Sequence, residues 1–287
     1  MTGILLIDKP TDWTSHDVIA KLRGILRERR IGHAGTLDPM ATGLLTVFVG
    51  RATRAVEFAE AQEKTYVARL RLGVVTDTQD ITGRVLDTAE VSVSRGDLEA
   101  VLPRFLGEIL QVPPMYSAIK VDGQRLYKLA RQGVEVERKA RPVTIYDIRI
   151  LGEADDSFDL EIVCSKGTYI RTLCHDIGQA LGVGGTMSAL RRTRVGAFSL
   201  DEACTIAEIA GAEDRGQFLR PVDALFAGYP VVVVDEVQEW KIRNGQRVCL
   251  DAPVCGRCRV YGADGAFLAL GEVDGGVLAV VKGFFAV

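Results

Sequence analysis

The sequence predicts an α+β protein made of one large domain and a small all-β domain at the C-terminus. Its 287 residues, 47% of them hydrophobic, suffice for a full core and for two domains of unequal size. Strand-type and helix-type runs follow one another up to about residue 228. Beyond it, short strands alternate with Gly and Asp-Gly turns, as in small barrel-like domains. We therefore expect domains at 1–228 and 229–287.

The overall charge excludes a chain that is basic throughout. The net charge is −3, so any nucleic-acid site must be a local patch. The apolar run at the N-terminus is too short for a signal peptide and is followed at once by Asp8 and Lys9. No stretch approaches the roughly 20 apolar residues of a membrane helix. We expect a cytoplasmic protein without a membrane segment.

Six cysteines are scattered over the second half of the chain. In a large chain without a secretory signal, reduced thiols are the default. Cys255 and Cys258 have the C-x-x-C spacing of a zinc or redox half-site, but no second pair and no nearby His accompanies them. We interpret them as structural or incidental thiols.

The first elements surround one unusual segment, RIGHAGTLDPMATG, at residues 30–43. A short strand is predicted at 3–8. An amphipathic helix with Ser15 as its cap follows and ends near Gly32. The unusual segment is then interpreted as a glycine-rich loop, and the apolar run 44–49 as a buried strand.

Further elements follow from apolar periodicity. Helices are predicted at 52–60, 97–106 and 169–181, and strands at 66–72, 143–151 and 158–164. Residues 190–194, LRRTR, form a basic cluster.

The segment 115–143 reverses the sign of the charge locally. It is either a solvated surface insertion or the contact surface for an anionic partner. Seven basic and three acidic residues give it a charge of +4: Lys120, Arg125, Lys128, Arg131, Arg138, Lys139 and Arg141 against Asp122, Glu135 and Glu137.

Asp38 is the first candidate for chemistry, because loops held by rigid elements often carry catalytic groups. From composition alone the turn interpretation is favoured, since Asp-Pro favours turns. His33 lies five residues earlier and is either structural or able to pack against a nucleobase.

Three further candidates lie elsewhere in the chain. Tyr66 is either a core aromatic of a strand or part of a site. Tyr169 and Arg171 begin a predicted helix, so one could face the core and the other a cleft. An Arg facing Asp38 would keep that carboxylate ionised and in place. The plain alternative is a core Tyr and a surface Arg.

Several cofactor signatures are missing from the sequence. It has no Walker loop, no G-x-G-x-x-G before a helix and no H-E-x-x-H. With only three His, a His-rich metal site is not expected. No cofactor and no metal are implied.

Five strings in order resemble the TruB family of bacterial tRNA pseudouridine-55 synthases: GHAGTLDPMATGLL, KTYVARLRLG, DTQDITG, PPMYSAIKVDGQRLYKLARQG and CSKGTYIRTL. The resemblance covers about the first two thirds of the chain. It implies a mixed β-sheet with flanking helices and a central RNA cleft. The C-terminal segment resembles, more weakly, the PUA-type RNA-binding domain of many members.

The resemblance also implies roles for the candidate catalytic residues. Asp38 matches the catalytic aspartate of the family, and Arg171 matches the Arg paired with it. Tyr66 matches the Tyr that packs on the target base and assists proton transfer.

The resemblance assigns the RNA contacts in the same way. His33 matches the His that fills the space of the flipped nucleotide, and Asp80 a residue that contacts the displaced bases. Tyr169 and Leu190 match residues of the uracil pocket.

The segment 115–143 matches the basic thumb that closes on RNA, in which Lys120 and Arg131 are expected RNA contacts. Lys9-Pro10 matches a structural motif.

The implied activity is the isomerisation of uridine 55 in the T arm of tRNA. A base in a folded arm must be extruded, which calls for aromatic packing and a cationic grip on the backbone. No atom from another reactant is gained or lost, so no cofactor is required. We expect a monomer without an obligate protein partner. Two alternatives remain: a protein that refolds tRNA without catalysis, and a guide-RNA-dependent synthase.

Overall fold

The computed structural model describes residues 1–117, 119–121, 123–251 and 253–285. The side chains of Lys120, Val121, Arg125, Tyr127 and Arg131 are outside this description. The side chains of the predicted RNA contacts Lys120 and Arg131 therefore lie outside the description.

Helices and strands alternate over most of the described chain. The α-helices are α1 Ser15–Leu26, α2 Val56–Glu60, α3 Arg95–Val101, α4 Leu126–Arg131, α5 Ile170–Ala180, α6 Ile206–Gly211 and α7 Glu236–Arg243. The strands up to the middle of the chain are β1 Gly3–Lys9, β2 Ile31–Ala34, β3 Thr42–Val49, β4 Lys64–Leu72, β5 Val74–Thr76, β6 Val85–Thr88, β7 Gly107–Gln111, β8 Lys120–Val121 and β9 Gln124–Arg125. The later strands are β10 Arg141–Ala154, β11 Ser157–Cys164, β12 Gly185–Val195, β13 Phe198–Ser199, β14 Val231–Val233, β15 Val248–Cys249, β16 Gly256–Tyr261, β17 Phe267–Asp274 and β18 Val277–Gly283.

A large mixed sheet forms the centre of the molecule. Its strands lie in the order β1-β3-β12-β4-β11-β10-β7, while β2 pairs with β3 and β13 with β12. Only the β3–β12 pair of this described sheet is parallel. Late in sequence but central in space, β12 lies between two strands that come much earlier. The predicted α+β fold with a mixed sheet is confirmed.

Two helices cover the sheet by burying one apolar face each. Leu22 of α1 packs against Leu5 and Val47, and Leu173 of α5 packs with Leu70 and Leu160. Burial of such side chains contributes roughly 1.5–3 kcal/mol each. Both helices begin beside the segment that contains Asp38, so the packing of the sheet determines the position of that segment.

The beginning of the chain differs from the prediction in three details. The cap of α1 is Thr14, whose hydroxyl accepts from the amide of Asp17, and not Ser15. The helix ends at Leu26, because Arg27 adopts a left-handed conformation with φ 53°. Residues 31–34, assigned to the helix end and the loop, form strand β2 against β3.

Smaller differences concern helix type and segment boundaries. The first part of the predicted helix 52–60 belongs to a 3-10 helix at Gly50–Ala55, which continues into α2. The predicted helix 97–106 is α3 followed by the 3-10 helix Leu102–Phe105. The last residues of the basic insertion, from Arg141 on, already pair with β7.

A second sheet contains the strands after residue 230, in the order β14-β16-β17-β18-β15. Phe226, which precedes it, packs with Phe58 of α2 and with Phe267 and Phe284 of the second sheet. An ion pair of 2.7 Å between Lys282 Nζ and Glu57 Oε1 crosses the same junction. The two sheets therefore share buried apolar side chains.

Candidate active site

Asp38 lies in a short connection between β2 and β3, and its neighbours are buried. The Ser15 hydroxyl accepts a hydrogen bond from the amide of Leu37 at 3.0 Å and lies 3.3 Å from the carbonyl of the same residue. The amide of Ala41 donates to the Asp38 carbonyl at 3.1 Å and closes a turn. Leu37 is 3% exposed, whereas the Asp38 side chain is 38% exposed. Its carboxylate thus belongs to a well-fixed connection but is partly exposed.

Lys9 fixes this connection through hydrogen bonds to backbone carbonyls. Its ammonium group is fully buried and donates to the carbonyls of Pro10, Trp13 and Pro39, at 2.8, 2.5 and 3.2 Å. Burial lowers its pKa to about 8, although nearby Asp38 acts in the opposite direction. The Lys-Pro motif therefore has a structural role here, since it fixes the residue that follows Asp38.

Arg171 is bound to Asp38 through two nitrogens. Its Nε lies 2.9 Å from Asp38 Oδ2, and its Nη2 lies 3.3 Å from Asp38 Oδ1. The remaining donors contact Asp80 Oδ2 at 3.4 Å and the carbonyls of Thr78 and Tyr116 at 3.1 and 2.9 Å. The guanidinium is 5% exposed and belongs to the first turn of α5. The predicted pairing of Arg171 with Asp38 is present, and Arg171 is not a surface residue.

The charge of Asp38 results from opposing effects. Burial raises the pKa of its carboxyl, Arg171 lowers it by charge and hydrogen bonding, and the nearby Asp80 raises it further. The net direction is upward from the ordinary value of 3.8. Arg171 therefore orients the carboxylate without making it more acidic than usual, which sequence reasoning about a simple ion pair did not foresee.

Asp80 is buried behind Arg171. Its side chain is 7% exposed and accepts hydrogen bonds from the hydroxyls of Thr78 and Thr82 at 3.0 and 2.5 Å. The amide of Thr82 donates to the same oxygen at 3.0 Å. The arrangement makes Asp80 a support of Arg171. Its predicted contact with displaced bases stays a prediction.

An apolar wall lies beside the Asp38 carboxylate. Tyr66 on β4 and Leu190 on β12 are each 8% exposed and belong to the cluster that contains Leu37 and Ala41. Tyr66 is therefore a core aromatic of β4, and its predicted contact with the target base stays a prediction.

Tyr169 is the residue before α5. Its amide donates to Gln111 Oε1 at 3.0 Å, and its carbonyl accepts from Gln111 Nε2 at 3.2 Å. These two hydrogen bonds join the start of α5 to β7. Burial raises the pKa of its phenol, which therefore stays neutral at neutral pH.

His33 lies on β2 with its ring against that of His16, which belongs to α1. The ring centroids are 5.6 Å apart and the planes meet at 80°. Burial lowers the pKa of His33 to about 4, and the positive charges of His16 and Arg192 act in the same direction. The imidazole is therefore neutral at neutral pH and suits contact with a base or sugar better than a phosphate contact.

One residue that the sequence assigned to a basic cluster is inside the protein. Arg192 of the LRRTR string is fully buried, whereas its neighbours Arg191 and Arg194 are exposed. Alternation along β12 separates Arg192 from Arg191, because side chains at successive strand positions face opposite sides. Arg194 would share the face of Arg192 by alternation alone, but a register irregularity lies between these two residues where β12 pairs with β4.

The described residues provide no cluster of three or more His, Cys, Asp or Glu side chains suited to a metal ion. Cys255 is exposed and Cys258 is buried. No helix in the described part of the chain is both long and apolar enough to cross a bilayer.

Comparison with known proteins identifies the family of this chain. Residues 23–170 match the model of the TruB family pseudouridylate synthase N-terminal domain. Residues 171–227 match the tRNA pseudouridylate synthase B C-terminal domain, and residues 230–282 match the C-terminal model called Pseudouridine synthase II TruB.

Relatives and solved structures agree with these models. The chain is 46% identical to tRNA pseudouridine synthase B of Aromatoleum aromaticum, over 95% of this chain and 89% of the relative. It is 46% identical to the protein of the same name from Dechloromonas aromatica, over 96% and 93%. A Cbf5-Nop10-Gar1 complex contains a chain with a TM-score of 0.76 and 28% identity, covering 99% of this chain and 85% of that one. The chain described here belongs to the TruB family of pseudouridylate synthases.

Proposed function

We propose that this enzyme converts uridine 55 in the T arm of tRNA to pseudouridine, with Asp38 as the acting carboxylate. The observation that carries the proposal is the Asp38–Arg171 pair, whose carboxylate is partly exposed. We take Tyr66 and Leu190, which belong to the same apolar cluster as Leu37, as the wall of a base-binding cleft beside it. The relatives named tRNA pseudouridine synthase B support tRNA as the substrate. The resemblance of the GHAGTLDP string to the family supports position 55.

The reaction requires groups of the kind found in this cleft. The C1′–N1 bond of the nucleoside breaks, the uracil rotates, and a C1′–C5 bond forms. The hydrogen on C5 leaves to water, and N1 takes up a proton, so the formula of the substrate is unchanged. A carboxylate can start this sequence at the base or at the ribose, as a nucleophile or as a proton acceptor.

Arg171 and Asp80 act through Asp38 in this proposal. The bidentate contact fixes both carboxylate oxygens, and Asp80 fixes the guanidinium from the far side. Such preorganisation lowers the barrier because no group has to reorient during the reaction.

The flipped base would lie against Tyr66, Leu190 and Tyr169, because uracil offers a flat apolar face for packing and edges for hydrogen bonds. His33 would occupy space vacated by the extruded nucleotide. Extrusion costs a few kcal/mol of lost stacking, which contacts of this kind offset.

The rest of the chain would hold the RNA. We assign residues 1–228 to catalysis and 229–287 to additional RNA binding, with the basic segment around 115–143 as a clamp over the T arm. Residues 107–111 of β7 and the strand that begins at Arg141 pair directly and would form the base of this clamp. We further propose that the enzyme works in the cytoplasm as a monomer.

Release of tritium from C5 tests the proposal directly. A tRNA transcript labelled at C5 of uridine is incubated with the purified protein, without any added guide RNA. We expect release approaching one equivalent per tRNA, and none from a transcript with cytidine at position 55. Equal release from both transcripts would refute position 55.

The same experiment separates the two alternatives. A guide-dependent synthase would release tritium only when a guide RNA is added; the solved structures of similar fold include an H/ACA RNP bound to a substrate RNA. A protein that only refolds tRNA would bind the transcript and release nothing in either case.

The pH dependence of the rate should reflect Asp38 alone. Its carboxylate must be ionised to act, and burial raises its pKa, so the single-turnover rate should fall as the pH drops through a value above 3.8. His33 also titrates at low pH, with a pKa of about 4, but its ring takes no part in the proposed chemical step and should not define this limb. In the variant His33→Gln the acidic limb should therefore keep its midpoint although the rate falls. A shift of that midpoint would assign the limb to His33.

A further inference from the structure

Among the side chains that the structure describes, Arg192 is the largest that is completely buried. Within the described residues, no carboxylate lies within ion-pair distance of its guanidinium. Burial of a charge without an opposite charge is costly, and an apolar side chain of similar size usually gives a more stable core. Stability therefore does not explain this residue.

The guanidinium joins the two ends of the connection that contains Asp38. Its Nη2 donates to the carbonyl of Gly35 at 2.9 Å, and its Nε donates to the carbonyl of Leu44 at 2.7 Å. Gly35 has a φ of +70°, and a Cβ atom built on it would lie 3.1 Å from Nη1 of Arg192. Gly35 thus allows the guanidinium to approach the backbone three residues before Asp38.

Arg192 also contacts the other wall of the cleft. It is directly opposite Tyr66 in the register of β12 and β4, so the two side chains leave the sheet on the same face. The positive charge of Arg192 and a hydrogen bond from it lower the pKa of the Tyr66 phenol, against the upward effect of burial. The side chain of Arg192 therefore lies next to that of Tyr66 while its guanidinium is bonded to the Asp38 connection.

The residues around Arg192 increase the free-energy cost of burying its charge. Lys64 and Lys9 are also buried, and Arg192 contributes to lowering the pKa of each, in both cases to about 8. Three cations near one another repel, and a fold under selection for stability alone would reduce that repulsion. Arg192 nevertheless carries its charge at a position next to the Asp38 connection and Tyr66.

We propose that Arg192 is a positioning residue for the isomerisation, and that it acts by holding the Tyr66 hydroxyl in a fixed relation to the Asp38 connection. This inference rests on the function proposed above. The uracil between Tyr66 and Asp38 must turn and be recaptured at C5, so the distance between the two walls decides whether the second bond forms. Arg192 spans that distance through one rigid planar group.

A double-mutant cycle tests this role. The variants are Arg192→Lys, Tyr66→Phe and both together, and the readout is the single-turnover release of tritium at saturating enzyme. Lys keeps the charge but lacks the planar fork, so we expect Arg192→Lys to slow the wild type ~30-fold. In the Tyr66→Phe background, where the hydroxyl is gone, the same change should cost less than ~3-fold. The dissociation constant for tRNA should stay within about twofold of the wild type.

The control is Arg194→Lys, an exposed arginine of the same strand, which should leave the rate unchanged. Equal slowing by Arg192→Lys in both backgrounds, or a loss confined to tRNA affinity, would overturn the proposal. If Arg192→Lys does not fold, Arg192→Gln replaces it in the cycle, because a neutral amide buries no charge. If the wild type itself releases no tritium, the proposed function fails instead, and the two failures are distinguished.

Discussion

The variant Asp38→Asn should lose at least ~10³-fold in the single-turnover rate of tritium release, while its affinity for tRNA stays within about threefold. Asn has nearly the shape of Asp but cannot act as an anion, so it can neither attack carbon nor accept a proton. Arg171 keeps Asp80 as a charged partner in this variant, and the fold should hold. Filter binding and tritium release on the same preparation measure both quantities.

Asp159→Asn provides the matched control. Asp159 is also bound to an arginine, since its carboxylate accepts from Arg69 at 2.8 and 2.9 Å, but this pair lies at the surface. The control should retain the full rate. Substantial turnover by Asp38→Asn would remove Asp38 from the chemistry, whatever the control shows.

Replacement of Arg171 by Met should have the second largest effect, and it should act on stability as well as on rate. The change removes the donors that serve Asp38, Asp80 and the carbonyls of Thr78 and Tyr116. Breaking a buried pair from one side costs roughly 3–5 kcal/mol because a charge stays buried without a partner. We expect the free energy of unfolding at pH 7 to fall by ~3 kcal/mol and the rate by at least ~10²-fold.

The pH dependence of that destabilisation gives a second test. Without Arg171, the pKa of the Asp38 carboxyl should rise further above its ordinary value, because the group that lowers it is gone. A carboxyl whose pKa is higher in the folded than in the unfolded state favours folding as the pH falls. The stability difference between Arg171→Met and the wild type should therefore shrink from pH 7 to pH 5.

Urea denaturation at each pH measures this difference. Arg149→Met, which removes an arginine that is 63% exposed, should change the free energy of unfolding by less than ~0.5 kcal/mol. A pH-independent loss in Arg171→Met would show that packing, and not the buried charges, dominates its effect.

Much of the fold could be predicted because alternation and helical spacing are local signals. The strands around Tyr66 and the helix that begins after Tyr169 were predicted within a few residues of their observed ends. Strand β2 was missed, since its four residues include Gly and His and are held in place by pairing with β3. A strand of that length has no periodicity of its own.

The site was predictable where the family resemblance supplied a partner, as for Asp38 and Arg171. Arg192 was not, because a charged residue in a basic string is normally solvated and only the register of β12 places it inside. Burial of Asp80 was missed for a similar reason. It depends on Arg171, which is 91 residues away in the chain, and a contact of that range has no local signal in the sequence.

The central place of β12 in the sheet has a consequence for biosynthesis. Ribosomes deliver the chain from its N-terminus, and β3 and β4 both emerge well before the strand that separates them. Until residues 185–195 arrive, the edges of β3 and β4 that β12 will cover are open to wrong pairing with each other or with another nascent chain. Leu190 and Arg192 arrive on the same strand, so under the proposed function a nascent chain could modify RNA only after this strand is in place.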